Sequence, residues 1–172
     1  GALGRDVIDG SLILGTTVSR EADDVSDIAI DDVSALSGIR KISGNIVVNN
    51  TVRCKTFEME SLESVNAVRV GNRENGNIIG TIRYMEIGAL SFPNLRSIEG
   101  ECRIINTFNL TEVSMPALRR IGGDLYAYGY GMTSTGLYFD VLEEVQNIHI
   151  SLGSQTHTIH MPNLRLAADI WI

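Results

Sequence analysis

Cysteine is scarce. Cys54 and Cys102 are the only two in 172 residues. Two thiols cannot build a multi-bridge scaffold, and neither a CxxC nor a Cys/His cluster at zinc spacing accompanies them. Both are expected to be buried and free, the usual fate of an unpaired cysteine. Positive charge is also short: 14 Lys and Arg stand against 21 Asp and Glu, a formal net charge of −7. That excludes the basic stripe of a nucleic-acid binder and attraction to an anionic membrane surface. No apolar run approaches the ~20 residues of a membrane helix, so this segment is not expected to insert in a membrane. An HExxH, a phosphate loop and a nucleophile elbow are all missing. No catalytic residue, metal ligand or cofactor is nominated, and the chain is read as no enzyme.

What is present is 44% apolar and 20% charged residues, a composition that folds. The length suits one domain over residues 1–172. Proline is rare but regular. All three prolines occupy one slot, in Phe92-Pro93-Asn94-Leu95, Met115-Pro116-Ala117-Leu118 and Met161-Pro162-Asn163-Leu164. The first two continue alike, through Ile98 and Gly100 to Cys102 and Ile104, and through Ile121 and Gly123 to Leu125 and Ala127. Weaker copies run from Met59 to Val70, from Phe139 to Ile150 and from Leu36 to Val48. The position held by Ile98 recurs at Ile8, Ile42, Val65, Ile121, Val145 and Ala167, in steps of 34, 23, 33, 23, 24 and 22.

A 22-to-24-residue period means stacked units, none of which can bury its own apolar face. The apolar-x-apolar pair in each unit has the period of a strand, with Cys102 and Ile104 inward and Arg103 outward. Gly and Pro between the apolar positions rule out long helices. The expected fold is mainly β, a right-handed parallel β-solenoid of about seven coils. Val48, Val70, Ile104, Ala127, Ile150 and Ile172 are expected in one buried column. The two long steps place insertions at about residues 15–27 and 71–83, emerging at one edge.

The run from Phe92 to Gly100, followed by Leu110 to Gly123, resembles the receptor L domain. That is the leucine-rich-repeat-like β-helix of insulin- and epidermal-growth-factor-type receptor ectodomains. The FPNL-x-x-I-x-G wording is closer still to repeats of fungal cell-wall and bacterial surface proteins. The resemblance covers roughly residues 30 to 172. It implies an extracellular or cell-surface recognition or adhesion module, with a protein or carbohydrate ligand. The flanking disulfides and cysteine-rich partners of receptor L domains have no counterpart here, so growth-factor signalling is not implied.

The outward strand positions are Ile13, Val47, Arg69, Arg103, Tyr126, His149 and Trp171. Tyr126, His149 and Trp171 fall on adjacent units, about 5 Å apart. With Tyr128 and Tyr130 they form the candidate ligand-binding strip, suited to a sugar ring or an extended peptide. A ladder that only stabilises the sheet remains the alternative. His149, His157 and His160 lack a carboxylate pattern for metal, and the acids from Glu21 to Asp32 match no calcium loop. Sequons occur at Asn49 and Asn109. A structural spacer is the second functional reading. A polysaccharide-cleaving β-helix enzyme, using Asp124 and Asp169, is the third. The strand ending at Ile172 has no polar cap, so the chain is expected to be part of a longer surface protein or to pair with a second copy there.

Overall fold

Alternating apolar and polar residues, repeated every 22 to 24 positions, become parallel strands in register. The computed structural model describes residues 6–15, 30–48, 52, 54–70, 87–105, 109–128, 135–152 and 157–172. Along these residues run β1 (Val7–Ile8), β2 (Leu12–Leu14), β3 (Lys41–Val48), β4 (Thr56–Glu58), β5 (Ser64–Val70) and β6 (Ala89–Ser91). Then come β7 (Ser97–Ile98), β8 (Cys102–Ile105), β9 (Glu112–Ser114), β10 (Arg120–Ile121) and β11 (Leu125–Tyr128). The last five are β12 (Gly136–Tyr138), β13 (Glu144–Val145), β14 (Asn147–Ser151), β15 (Thr158–His160) and β16 (Asp169–Trp171). The only helical element among the described residues is one 3₁₀ turn, Ser34–Leu36. Just before it the carboxylate of Asp32 accepts from the Ser34 N–H at 2.8 Å.

All strand pairs are parallel and form two sheets. In the larger sheet the Ile98-type residues pair directly: Ile8 with Ile42, Ile42 with Val65, Val65 with Ile98, Ile98 with Ile121, and Ile121 with Val145. A second ladder aligns Ile13, Val47, Arg69, Arg103, Tyr126, His149 and Trp171. The sequence suggests seven strands in this sheet, but among the described residues there are eleven. The Ile98-type positions form short strands of their own, and the long β3 and β5 join the two ladders. The smaller sheet runs β15-β12-β9-β6-β4 and turns Phe57, Leu90, Val113 and Leu137 inward, all essentially inaccessible.

The Pro slot closes each repeat with a turn. Leu95 N–H donates to Phe92 O at 3.3 Å, and Leu118 N–H donates to Met115 O at 3.1 Å. Proline fits the second position of such a turn because its φ is preset and its missing N–H is not needed. Met59, Phe92, Met115 and Phe139 alternate at the start of the turn, and Leu62, Leu95, Leu118 and Leu142 end it; all eight are 0% exposed. Asn94 Nδ2 donates to Glu60 O at 2.8 Å, and Asn163 Nδ2 to Asp140 O at 2.7 Å, so each ties its turn to the preceding repeat. Gly122 is required by close approach: a Cβ there would collide with the carbonyl of Glu99.

The buried column holds at Val48, Val70, Ile104, Ala127 and Ile150, from 0 to 6% exposed. It fails at Ile172, which is 81% exposed. Among the described residues no strand lies on the far side of β16. Leu95→Ala should cost about 3 kcal/mol through the cavity it leaves. Asn94→Ala should cost about 1 kcal/mol, the worth of one hydrogen bond. Urea unfolding of both variants checks the ranking, and equal losses would show that the inter-repeat bond rivals the core.

Candidate functional site

The outward side of the second ladder carries two neighbouring columns, because residues two apart on a strand share a face. One is the Arg69–Arg103–Tyr126–His149–Trp171 column. The other contains Glu101, Asp124, Asn147 and Asp169, with Asn147 and Asp169 directly paired in register. The columns are cross-linked. Arg69 Nε donates to Glu101 Oε1 at 2.7 Å, and Arg103 donates through a terminal nitrogen to Glu101 Oε2 at 2.9 Å. Tyr126 OH donates to Asp124 Oδ2 at 2.7 Å, and Asn147 Nδ2 to Asp124 Oδ1 at 2.8 Å. Each carboxylate is thus shared by two donors.

The rings stack along the column. The Arg103 guanidinium lies 4.8 Å from the centre of the Tyr126 ring. His149 stacks on the same tyrosine at 4.8 Å and 10°. Tyr128 packs beside Tyr126 at 6.0 Å and 27°. Register brings rings on strands about 4.8 Å apart into contact; here they stack, whereas the directly paired Tyr138 and His160 of the smaller sheet meet at 49°. The faces of Tyr126 are therefore occupied by its neighbours, and its edge points outward. Trp171 differs. It is 65% exposed, and among the described residues no aromatic ring pairs with it.

Hydrogen bonding sets the ionisation of this pair. The Tyr126 phenol is pushed up to about 12, first by its bond to Asp124, then by burial and by the charge of that carboxylate. For Asp124 the largest single influence is burial, which pushes its pKa up. The bonds from Tyr126 and Asn147, with the charge of His149, together outweigh burial and leave it below the ordinary carboxylate value. Asp124 is thus held ionised and engaged with two donors. Asp169 is exposed on β16.

The structure brings together Tyr126, Tyr128 and His149 and sets Trp171 on the next strand of the same column. Tyr130 lies outside the described residues, as do the insertions at 71–83 and, apart from Gly15, at 15–27. The three histidines do not share a face. His149 stacks on Tyr126, while His157 and His160 lie at the smaller sheet, where His157 Nδ1 accepts from the Thr135 N–H at 3.1 Å and His160 sits 3.7 Å from Asp140. Cys54 and Cys102 are free and buried, and burial pushes the Cys102 thiol up to about 12. Asn109 is exposed; Asn49 lies outside the described residues. The role of Glu101 went unread in the sequence. Its place one strand before Asp124 in the acid column, beside two outward arginines, carried the signal.

Parallel ladders with one polar, hydrogen-bonded outer face define a mainly β scaffold of the kind that presents residues on strand faces and connecting loops. The family model for the Receptor L domain matches residues 6–116, and the chain belongs to the receptor L domain family. The match takes in β1 to β9, and residues 117–172 continue the same ladders in register. Searches of curated proteins and of solved structures found no match. Among the described residues no helix is long and apolar enough to cross a membrane.

Asp124→Asn should return the Tyr126 phenol toward its ordinary value near 10, as read by ultraviolet titration of tyrosinate. In the wild type the raised Tyr126 value stabilises the fold below pH about 10, and that contribution fades as pH rises toward about 12. The lowered Asp124 value acts at the other end: its contribution is present above the unfolded carboxylate value and is lost as pH falls through the folded one. An unchanged tyrosinate curve in Asp124→Asn would show that burial, not the hydrogen bond, holds the phenol.

Proposed function

We propose that this domain is a non-enzymatic recognition module of a cell surface, and that it binds a protein ligand through the outer face of its second ladder. Membership of the receptor L domain family supports a ligand-binding receptor module. The register of the ladders supports reading the chain as a right-handed, leucine-rich-repeat-like β-solenoid of about seven coils. The contact residues are Tyr126, Tyr128, His149 and Trp171, joined by Arg69 and Arg103; Tyr130, two residues after Tyr128 in the sequence, is kept as a candidate.

One observation carries the choice of ligand. Tyr126 is sandwiched between Arg103 and His149 at 4.8 Å on each side. A sugar ring stacks on an open ring face, and at Tyr126 this column offers none. It presents instead ring edges, guanidinium groups and an exposed indole, the mixture that protein interfaces favour. The acids Asp124 and Asp169 are separated by Asn147, and Asp124 is committed to two donors, which gives little support to a pair acting on a polysaccharide.

The test is a paired screen of the domain against surface proteins and against glycans. Trp171→Ala and Arg103→Ala should each weaken the protein contact about tenfold. Trp171 is exposed, so its loss should shift the thermal midpoint by no more than about 2 °C. Binding to glycans alone would overturn the choice of ligand, and binding to neither class would favour a spacer. A second reading has its own support. Leu166, Ile170, Trp171 and Ile172 are 54 to 81% exposed in and beside the last strand, where a second copy could pair. Light scattering over a concentration series checks it, with a concentration-dependent dimer as the expected outcome.

A further inference from the structure

A second charged column runs along the corner of the molecule. The residues following the turn leucines, Glu63, Arg96, Arg119, Glu143 and Arg165, continue a series that begins at Asp6 and Arg40. Their backbones are linked repeat to repeat: Arg96 N–H donates to Glu63 O at 2.9 Å, Arg119 N–H to Arg96 O at 3.0 Å and Glu143 N–H to Arg119 O at 2.9 Å. Register therefore places each side chain next to those one repeat away, at about 4.8 Å. Signs alternate along most of the series and ion pairs result: Arg40 with Glu63 at 2.7 Å, and Arg119 with Glu143 at 2.8 Å. The alternation slips once, where Arg96 and Arg119 are consecutive. Arg96 has Glu63 on one side, Arg119 has Glu143 on the other, and no carboxylate of the series stands between them.

The turn beside this slip is also different. Asn94 and Asn163 bridge to the preceding repeat, onto the carbonyls of Glu60 and Asp140. Ala117 and Val141 hold the same slot in the two repeats between, and neither side chain can donate. The asparagine clamp is thus missing over the Pro93 and Pro116 carbonyls. A recess of about 350 Å³ opens there, lined by Arg96, Pro116, Ala117, Arg119 and Val141. Like charges left adjacent, an absent clamp and a recess coincide at one place.

The geometry points to a binding site for an acidic segment of a partner protein, an Asp or Glu flanked by an aliphatic residue. The carboxylate lies between the Arg96 and Arg119 guanidiniums and supplies the negative charge that the series lacks. The aliphatic side chain covers Pro116, Ala117 and Val141. N–H groups of the segment donate to the carbonyls that no asparagine reaches. The apolar floor of the recess suits a peptide better than a sulfated sugar, which has no aliphatic side chain to bury there. Arginine is suited to the role because its planar fork holds a carboxylate through two bonds. This surface is separate from the Tyr126–Trp171 column and does not depend on that column's role.

The probe is a fluorescent, capped peptide of alternating Leu and Glu, followed by anisotropy and by amide chemical shifts of the labelled domain. Saturable binding is expected, with shifts at residues 94–97, 116–120 and 140–142. The Arg96→Gln, Arg119→Gln double variant should weaken it roughly tenfold, the share of charge-assisted bonds at exposed groups. A Leu/Gln peptide should lose as much. Ala117→Asn, which fills the recess and can restore the clamp, should also weaken binding about tenfold without lowering the thermal midpoint. Trp171→Ala should leave this binding unchanged, so a failure of the strand-face reading would not mask it. Undiminished binding in the arginine double variant, shifts confined to the strand face at residues 126–128, 147–151 and 169–171, or tighter binding of a sulfated oligosaccharide than of the peptide would each overturn the proposal.

Discussion

The structure depends on one constraint: each repeat must place its backbone groups opposite those of the repeat before it. The N–H of Gly123 donates to Gly100 O at 2.9 Å, that of Gln146 to Gly123 O at 3.0 Å and that of Ala168 to Gln146 O at 2.8 Å. The same relation holds along the column after the turn leucines and within each ladder. A residue in one slot therefore always neighbours the same slot one repeat away. Buried slots respond with apolar side chains of compatible volume, as in the alternation of Met59, Phe92, Met115 and Phe139. Where the backbones come closest, at Gly122, a side chain is excluded altogether.

On the outside, the same constraint sets an electrostatic problem. Like charges repeated in one slot would stand about 4.8 Å apart along the whole stack. Two solutions are visible. Along the corner the signs mostly alternate within a single column. On the second ladder, Arg69 and Arg103 are adjacent and alike, and the carboxylate of Glu101 in the next column bonds to both, at 2.7 and 2.9 Å. These pairs are partly or largely exposed, so each adds little stability by itself. Their effect is on geometry: Glu101 holds the Arg103 guanidinium where it can cover the Tyr126 ring. At Arg96 and Arg119 neither solution is complete.

Much of this was legible in the sequence because a stacked repeat turns spacing into position. Counting 22 to 24 residues forward from Arg103 reaches Tyr126, His149 and Trp171, and the register places them side by side. The Pro slot likewise marked a buried corner before any coordinates. Three things escaped. The short strands at the Ile98-type positions were unread because two residues carry too little alternation to reveal a strand. The exposure of Ile172 followed from the absence of a described neighbour beyond β16, which a residue's own polarity does not encode. The partners of Asp124 and Glu101 depended on side-chain direction across two columns, and spacing along one column does not disclose them.

The orientation of the rings has the largest consequence for what the strand face can recognise. An aromatic side chain on an isolated strand offers two faces. In this ladder Tyr126 uses both of its faces on its neighbours, Arg103 and His149. The affinity such a column can lend a ligand then comes from edges, hydrogen-bonding tips and the ring at the end of the row. The tip of Tyr126 is itself engaged with Asp124. In the proposed strand-face contact, the weight then falls on the ends of the column, on Trp171 at one side and the arginines Arg69 and Arg103 at the other. A ligand contacting both must bridge four strand intervals, about 19 Å, the reach of some six residues of extended chain. A segment of that size can satisfy both ends at once, which a single sugar ring cannot.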